Sequence, residues 1–325
     1  MRAWTVAEYG HYKSVLTLSD QPSPIPEGET TRIAVQAAGV MFADLLNIAG
    51  QYQVRAPLPF VPGSEASGVV TECGSQSRFK PGDRVVTVNL MGAFAEEMLA
   101  VDDTTFLISD AMTAVDAAAL TINYQTAHFA LAYRGRLKAG EWLLVHGGAG
   151  GVGSAAIQLG KVLGANVIAT AGHEDKCRVC AECGADHVIN YSNTDFVSQV
   201  KAITRGNGAD VILDPVGGDV LEKSVKCIAH EGRLLVIGFA GGTIPSIPAN
   251  RVLLKNMEVI GVYWGAYQTR DTARIRDTQH TLYRLYDERK IKPVIYREFP
   301  LDDLPSALEA IENRACHGKA VMVNA

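Results

Sequence analysis

The chain has 325 residues, of which 47% are hydrophobic and 20% charged, and its formal net charge is -5; this length predicts about two domains. Because the mildly acidic balance comes without a basic arm or a Lys/Arg run, we do not expect a nucleic acid or an anionic membrane surface as partner. The N-terminus lacks a signal-peptide pattern, and no apolar run reaches the roughly 18 residues of a membrane span. The six cysteines are too few for a disulfide scaffold. We therefore expect a cytoplasmic protein.

The N-terminal third is rich in Gly, Pro and Val. Short apolar runs at Arg32–Ala37, Ser67–Thr71 and Arg84–Val88 are separated by Pro-Gly pairs that form turns. This pattern predicts an irregular, β-rich domain. The Ala-rich stretch from Ala114 to Arg134 that follows predicts a helix.

From Trp142 onward, apolar strands alternate with helices. The predicted strands are Trp142–His146, Asn166–Ala171, His187–Asn190, Val211–Leu213, Arg233–Ile237 and Met257–Val262. The predicted helices between them are Gly153–Leu163, Lys176–Cys183, Asp195–Thr204 and Val220–Ile228. This alternation is typical of a doubly wound parallel sheet. Four further elements are predicted beyond this series: a helix at Asp271–Arg289, a strand at Val294–Phe299, a helix at Leu304–Asn313 and a strand at Lys319–Val323.

A glycine-rich turn joins the first of these strands to the first helix. It contains the GxGxxG pattern at Gly148, Gly150 and Gly153. Glycines in this position permit a tight turn and let backbone amides approach a pyrophosphate at the N-terminus of a helix. Because the pattern lies between a strand and a helix of a βα series, it predicts a dinucleotide-binding site.

The end of the second strand indicates which dinucleotide binds. An NAD-preferring site usually has an Asp or Glu there for the ribose hydroxyls, whereas this chain has Gly172. Lys176 and Tyr191 follow and supply a cation and a hydroxyl for a 2'-phosphate. We therefore predict that NADPH binds, although the negative charges of Glu174 and Asp175 favour NADH.

Several segments of the chain resemble the zinc-free quinone oxidoreductase family that includes zeta-crystallin, within the medium-chain dehydrogenase/reductase superfamily. The resemblance rests on residues 39–44, 58–65, 68–70, 126–128, 184–186, 190–191, 214–218 and 318–319 and on the glycine turn. It implies an α/β protein with a GroES-like, β-rich substrate domain formed by residues 1–122 and 264–325. A Rossmann NADPH-binding domain, a doubly wound parallel sheet, would span residues 123–263. The resemblance also implies a homodimer or a dimer of dimers joined at the edge strand near Val259–Val262.

Alcohol dehydrogenases of this superfamily carry zinc, and their ligand positions are altered here. They have a Cys near position 40 and a His before the acid at 65, whereas this chain has Val40 and Ser64 before Glu65. It also has no cysteine from 74 to 176, where a structural zinc would be bound. We interpret Cys177, Cys180 and Cys183 as helix-packing residues rather than metal ligands, and expect a protein without metal.

The resemblance and the strand ends together predict the cofactor-binding residues. Phe42, Tyr52, Thr126 and Lys319 come from the resemblance, and Phe239, Ala240, Val262, Tyr263 and Trp264 follow strands whose carboxyl ends face the ligand. The other predicted cofactor-binding residues are Ala149, Gly150, Gly151, Val152, Gly172, Lys176, Tyr191 and Gly238. Tyr52 matches the family tyrosine that faces the nicotinamide, and two roles stay open for it: catalysis, or lining the pocket.

The activity implied is hydride transfer from NADPH to a quinone or another conjugated carbonyl compound. Without a metal, such an acceptor is suitable because hydride addition moves charge to a distant oxygen that hydrogen-bond donors stabilise. Two alternatives stay open: an enoyl-thioester or acrylyl reductase, and a catalytically silent NADPH-binding protein.

Overall fold

The structure, a computed structural model, describes residues 1–324. Contacts divide it into two compact units. The first comprises Met1–Ile122, Gln268–His280 and the described residues from Lys292 onward, and the second comprises Asn123–Tyr267 and Thr281–Ile291. The domain boundaries derived from the sequence stay a prediction.

The strands and helices have the following bounds. The strands are β1 Arg2–Val6, β2 Leu16–Asp20, β3 Thr30–Val40, β4 Glu65–Cys73, β5 Arg84–Val88, β6 Glu97–Val101, β7 Thr105–Leu107, β8 Trp142–Val145, β9 Asn166–Ala171, β10 His187–Asn190, β11 Ala209–Asp214, β12 Ile228–Val236, β13 Glu258–Gly261, β14 Ile295–Pro300 and β15 Lys319–Val323. The α-helices are α1 Tyr12–Val15, α2 Phe42–Ile48, α3 Ala114–His128, α4 Gly151–Val162, α5 Glu174–Glu182, α6 Phe196–Ile203, α7 Gly218–Ser224, α8 Ala249–Lys255, α9 Tyr267–Arg270, α10 Thr272–Asp287 and α11 Leu304–Glu312. A π-helical segment, Phe129–Arg134, continues α3.

The first unit is built on a seven-stranded sheet. Its strand order is β14-β15-β3-β4-β5-β7, and β6 pairs with β3 beside this path. Strand β3 pairs antiparallel with β15, β4 and β6, so the C-terminal strand lies in the same sheet as the N-terminal ones. Large apolar side chains such as Ile33, Phe94 and Phe299 form the core.

The second unit is a six-stranded parallel sheet in the order β10-β9-β8-β11-β12-β13. Its strands are almost wholly apolar because both faces of a parallel sheet are covered; Leu144, Ile168, Ile212 and Leu234 are fully buried. The order reverses between β8 and β11, the point at which such sheets bind ligands beyond the carboxyl ends of their strands. The predicted fold class, a β-rich domain with a doubly wound parallel domain, is confirmed.

Two predicted elements differ in their extent. The strand expected to start at Arg233 begins at Ile228 and includes Glu231, whose φ is +56°, because Ile228 pairs with Ala209 across an irregular register. The helix expected from Ala114 to Arg134 is α-helical only as far as His128. In the described part of the chain, no helix is both long and apolar enough to cross a membrane.

Candidate functional site

The turn between β8 and α4 is held in place by backbone hydrogen bonds. Gly147 has a φ of +59°, which favours glycine. The amide of Gly148 donates to the Thr170 carbonyl at 2.9 Å, and the amide of Gly150 donates to the Gly147 carbonyl at 2.9 Å. We call residues Gly147–Gly153 the glycine turn; it is fixed to both β8 and β9.

Two of its glycines are required because other groups approach the backbone closely. A Cβ at Gly148 would lie 2.8 Å from the Cys180 sulfur and 3.0 Å from the Ala169 side chain, and a Cβ at Gly153 would overlap the Gly147 carbonyl oxygen. Burial raises the pKa of the Cys180 thiol to about 12, so this group is neutral. Cys180 is a packing residue beneath the turn, as its position on α5 indicates.

The N-terminus of α4 can bind an anion. Its N-cap, Gly150, provides no side-chain hydrogen bond, and its first turn has no acidic residue. The first amides of a helix have no partner within it, and the helix dipole favours negative charge there. The predicted residues Ala149, Gly150, Gly151 and Val152 all lie in this turn, and the arrangement fits a dinucleotide diphosphate.

His146, which follows β8, is a buried anchor that the sequence analysis did not identify. Its ring nitrogens lie 3.0 Å from the Thr170 hydroxyl and 2.8 Å from the Ser224 hydroxyl. Burial lowers its pKa to about 3, so the ring is neutral. It links the glycine turn to β9 and α7, a role for which its position at a strand end is the only sequence signal.

The structure brings Gly172 and Tyr191 together. A Cβ at Gly172 would lie 2.6 Å from the Tyr191 hydroxyl, so the phenol lies on the glycine backbone. The neighbouring Ser192 hydroxyl donates to the Gly172 carbonyl at 2.8 Å. Tyr191 is 51% exposed, and Lys176 lies in the first turn of α5. A cation and a hydroxyl therefore stand where β9 and β10 end.

The two acids that favour NAD in the sequence have partners of their own. Glu174 accepts a hydrogen bond from the Asn190 amide at 2.6 Å. Asp175 pairs with Arg178 at 2.5 Å and lies 3.6 Å from the His173 ring. The Asp175 charge is compensated by Arg178, and Glu174 is held by a hydrogen bond, so neither acid is placed to bind a ribose hydroxyl alone.

The loop after β12 packs on the loop after β11. Ala240 donates its amide to the Pro215 carbonyl at 3.0 Å, and a Cβ at Gly217 would lie 2.8 Å from the Phe239 ring. Gly238 and Phe239 are half-buried, and Ala240 is exposed. These three predicted residues thus lie beside the carboxyl end of β11.

Asp214 fixes the loop after β11. Its Oδ1 accepts hydrogen bonds from the amides of Val216 at 2.7 Å and Gly217 at 3.0 Å. Burial raises its pKa, and its Oδ2 has no hydrogen-bond partner among residues 1–324. The aspartate therefore shapes the turn that supports Phe239.

The residues after β13 meet the C-terminal half of α3. Val262 is buried and donates its amide to the Val236 carbonyl at 2.9 Å. Trp264 donates its indole N–H to the Gln125 side chain at 3.2 Å, next to the buried Thr126, whereas Tyr263 is 45% exposed. The predicted residues at this strand end are thus connected to the predicted Thr126.

Phe42 and Tyr52 belong to the first unit. Phe42 begins α2 and is 38% exposed. Tyr52 is half-buried in a segment without regular structure that follows Gly50. Gly50 has a φ of +68°, and its backbone is covered by the Tyr9 ring, 2.7 Å from an added Cβ, so the entry to the Tyr52 segment is constrained.

Lys319, predicted near the cofactor phosphates, is buried in an ion pair with Glu65; their side chains are 3% and 0% exposed. The other Glu65 oxygen accepts the Ile122 amide at 2.9 Å. A Cβ at Gly39 would lie 2.6 Å from Glu65 Oε1, so the glycine leaves room for the pair. The phosphate role of Lys319 stays a prediction beside this structural one.

Asp44 is buried near this ion pair. Its Oδ2 accepts the Met41 amide at 2.7 Å, and its Oδ1 has no hydrogen-bond partner among residues 1–324. Burial, reinforced by the Glu65 charge and opposed by Lys319, raises its pKa to about 7. Together Asp44, Glu65 and Lys319 form what we call the charge cluster.

Zinc does not fit this set of side chains. Val40 and Ser64 stand where dehydrogenase ligands would be expected, and Glu65 is already paired with Lys319. Within residues 1–324, no group of three or more His, Cys, Asp or Glu side chains is arranged to hold a metal ion.

Two protein-family models match the chain. The one described as "Zinc-binding dehydrogenase" matches residues 151–277. The one described as "Alcohol dehydrogenase GroES-like domain" matches residues 27–110. The two matches fall mainly in the parallel-sheet unit and the β-rich unit, respectively.

Whole proteins are also similar to this chain. The "Quinone oxidoreductase-like protein 2" of Mus musculus is 38% identical over 322 residues, which cover 96% of this chain and 92% of the mouse protein. The "Quinone oxidoreductase" of Homo sapiens is 32% identical over 329 residues, which cover 99% and 98% of the two chains. The crystal structure of Escherichia coli quinone oxidoreductase complexed with NADPH has a TM-score of 0.93 and 28% identity, with both chains covered completely.

Proposed function

This chain is an oxidoreductase of the quinone oxidoreductase family, within the medium-chain dehydrogenase/reductase superfamily, and on that premise we propose that it reduces a quinone or another conjugated carbonyl compound with NADPH, without zinc. NADPH would supply the hydride. The observation that carries the proposal is the glycine turn, an uncapped helix N-terminus fixed to two strands beside a strand end that lacks an acid.

The surroundings of Gly172 support NADPH over NADH. The Tyr191 hydroxyl covers the backbone where an NAD enzyme would place its acid, and Lys176 follows in the next helix. Glu174 and Asp175 are occupied by Asn190 and Arg178. Lys176 and Tyr191 supply a cation and a hydrogen-bond donor, the kinds of group that bind a phosphate.

Tyr52 is our candidate hydrogen-bond donor for the substrate. When hydride adds to a conjugated carbonyl, negative charge develops on the distant oxygen, and a phenol can stabilise it. We expect Tyr52→Phe to lower kcat by about a hundredfold, the loss typical of one oxyanion donor, with an unchanged dissociation constant for NADPH. An unchanged kcat would leave Tyr52 as a residue that only lines the pocket.

The test of the function is a substrate panel with both coenzymes. Purified protein would be mixed with NADPH or NADH and with 1,4-benzoquinone, 9,10-phenanthrenequinone, 2-alkenals or crotonyl-CoA, and the loss of nicotinamide absorbance followed at about 340 nm. We expect NADPH oxidation with the quinones. Activity confined to crotonyl-CoA would indicate an enoyl-thioester reductase, and NADPH binding without turnover of any compound a silent binding protein.

A second copy of this chain is the protein partner that we propose. Strand β13 is an edge of the six-stranded sheet, and an unpaired edge readily pairs with another strand. Val259 on β13 is 42% exposed, and Leu253 and Leu254 on α8 are 74% and 71% exposed. A dimer would cover these side chains; we expect Val259→Glu with Leu253→Glu to give monomers by light scattering, and an unchanged mass would contradict this interface.

A further inference from the structure

Asn123, in helix α3, is a buried polar residue for which no function has been given above. It is 6% exposed. Its amide nitrogen and oxygen are not among the fully enclosed side-chain atoms of residues 1–324 that lack a hydrogen-bond partner. The side chain is thus buried as a whole, but its polar end is not sealed in the interior, and such an end is suited to binding water or a ligand.

The carboxamide lies against the first residue of α4. A Cβ added to Gly151 would lie 2.8 Å from Asn123 Cγ and 2.9 Å from its Oδ1, and the amide nitrogen Nδ2 is closer still. Gly151 can therefore only be glycine while Asn123 occupies this place. The side chain is in contact with the N-terminal turn of a twelve-residue helix.

Asn123 does not cap that helix, although it is close enough to contact it. An asparagine beside an N-terminus usually accepts a hydrogen bond from one of the first amides, yet no such bond forms, and α4 has no side-chain cap. The carboxamide donor and the first amides of α4 are thus both available at the same place. A ligand with several acceptor oxygens would satisfy both sets.

We propose that Asn123 positions the diphosphate of the dinucleotide by donating a hydrogen bond from Nδ2 to a phosphate oxygen above the N-terminus of α4. The inference rests on the proposed function for the identity of the ligand. It adds a side-chain donor to a site that otherwise binds the diphosphate through the backbone. Gly151 is required because it keeps this donor against the helix.

Binding of three ligands to matched variants tests the assignment. Asn123→Leu has a similar branched shape, with a larger volume and no hydrogen-bonding groups, and Asn123→Asp keeps the shape but adds a negative charge. The ligands are NADPH, 2'-phospho-ADP-ribose, which retains the diphosphate without nicotinamide, and 2'-AMP, which lacks the diphosphate. Dissociation constants would be measured by calorimetry at two salt concentrations.

We expect Asn123→Leu to weaken binding of NADPH and 2'-phospho-ADP-ribose about tenfold, as for the loss of one hydrogen bond to a charged group, and to leave 2'-AMP unchanged. Asn123→Asp should weaken the same two ligands further, and salt should reduce that difference. Thermal unfolding of the ligand-free variants checks that they fold. If the leucine variant does not fold, Asn123→Ser and Asn123→Ala replace it. The serine variant, which keeps a donor, should then bind NADPH more tightly than the alanine variant.

Three results would overturn the assignment: equal losses for all three ligands, no loss for any, or a loss confined to NADPH. The last would place Asn123 beside the nicotinamide. A wild-type chain that binds none of the three ligands would overturn the proposed function as well, whereas normal wild-type binding with unaffected variants would overturn only the role of Asn123.

Discussion

The glycine turn and the charge cluster are built in opposite ways. In the glycine turn the polar groups are backbone amides at the start of α4, without a side-chain cap and available to a ligand. In the charge cluster they are buried side chains, and Glu65 and Lys319 satisfy each other. The first arrangement suits binding, because its groups gain partners from a ligand. In the second, the ion pair is already formed, and removing one of its partners would leave the other charge buried alone.

The difference predicts which substitutions change affinity and which change unfolding. A change in the glycine turn should affect the cofactor more than the folded state. Removing one partner of the ion pair in the charge cluster should destabilise the first unit, because a single unpaired charge in a protein interior is strongly unfavourable. Four experiments can break or sharpen this contrast.

Removing Lys319 should have the largest effect. Lys319→Met leaves Glu65 buried without its cation, which costs about 3 to 5 kcal/mol of unfolding free energy, measured by denaturant titration with hydrogen exchange in β4 and β15. The double variant Glu65→Gln with Lys319→Met should recover part of the loss. A variant of normal stability with weakened NADPH binding would instead support the phosphate role predicted for Lys319.

His146 should make the second unit sensitive to acid. Its folded pKa of about 3 lies below the ordinary value of 6.5, so its contribution is present above pH 6.5 and is lost as the pH falls toward 3. The change is up to about 5 kcal/mol, at roughly 1.4 kcal/mol per pKa unit. Compared with His146→Gln, the wild-type advantage should shrink on acidification, and parallel stability curves would contradict the burial of a neutral ring.

Asp44 should act in the opposite direction in the first unit. Its folded pKa of about 7 lies above the ordinary 3.8, so its contribution is present at acid pH and is lost as the pH rises from 3.8 through about 7. The Asp44→Asn variant lacks this titration. The stability of the variant relative to the wild type should therefore rise by up to about 4 kcal/mol between pH 4 and pH 8, and thermal unfolding at several pH values measures it. A constant difference would show that Asp44 is ionised throughout.

Substituting Gly153 should affect binding most selectively. The Cβ of Gly153→Ala overlaps the Gly147 carbonyl, so the turn must shift, and a displacement of about 1 Å can reduce function about a hundredfold. We expect that loss in NADPH affinity by calorimetry, with little change in hydrogen exchange of the first unit. Gly206→Ala is a matched control, since Gly206 has open space around its backbone; its positive φ introduces local strain without reaching the turn.

Much of the fold was predictable because its signals are local. The alternation of strands and helices from Trp142 onward specifies the parallel sheet. By contrast, β1 and β2 pair residues 2–6 with 16–20, and α2 and α8 have only seven residues each. Such short elements are stabilised by tertiary packing rather than by a periodic sequence pattern.

The candidate site was predictable where its residues are contiguous. The glycine turn is a single segment, so a pattern can reveal it, whereas the charge cluster joins positions 44, 65 and 319, which no spacing rule connects. His146 and Asn123 were missed for the same reason: their importance lies in what they contact. The residue roles, the dimer and the cytoplasmic location stay predictions.

The contact between Gly172 and Tyr191 restricts how coenzyme preference can evolve. An acid at position 172, which would bind the ribose of NAD, needs a Cβ where the tyrosine hydroxyl lies. The single replacement therefore requires the half-exposed Tyr191 side chain to move away, and loss of Tyr191 alone leaves a glycine without the new acid. A lineage moving from one coenzyme to the other would therefore gain most from changing both positions.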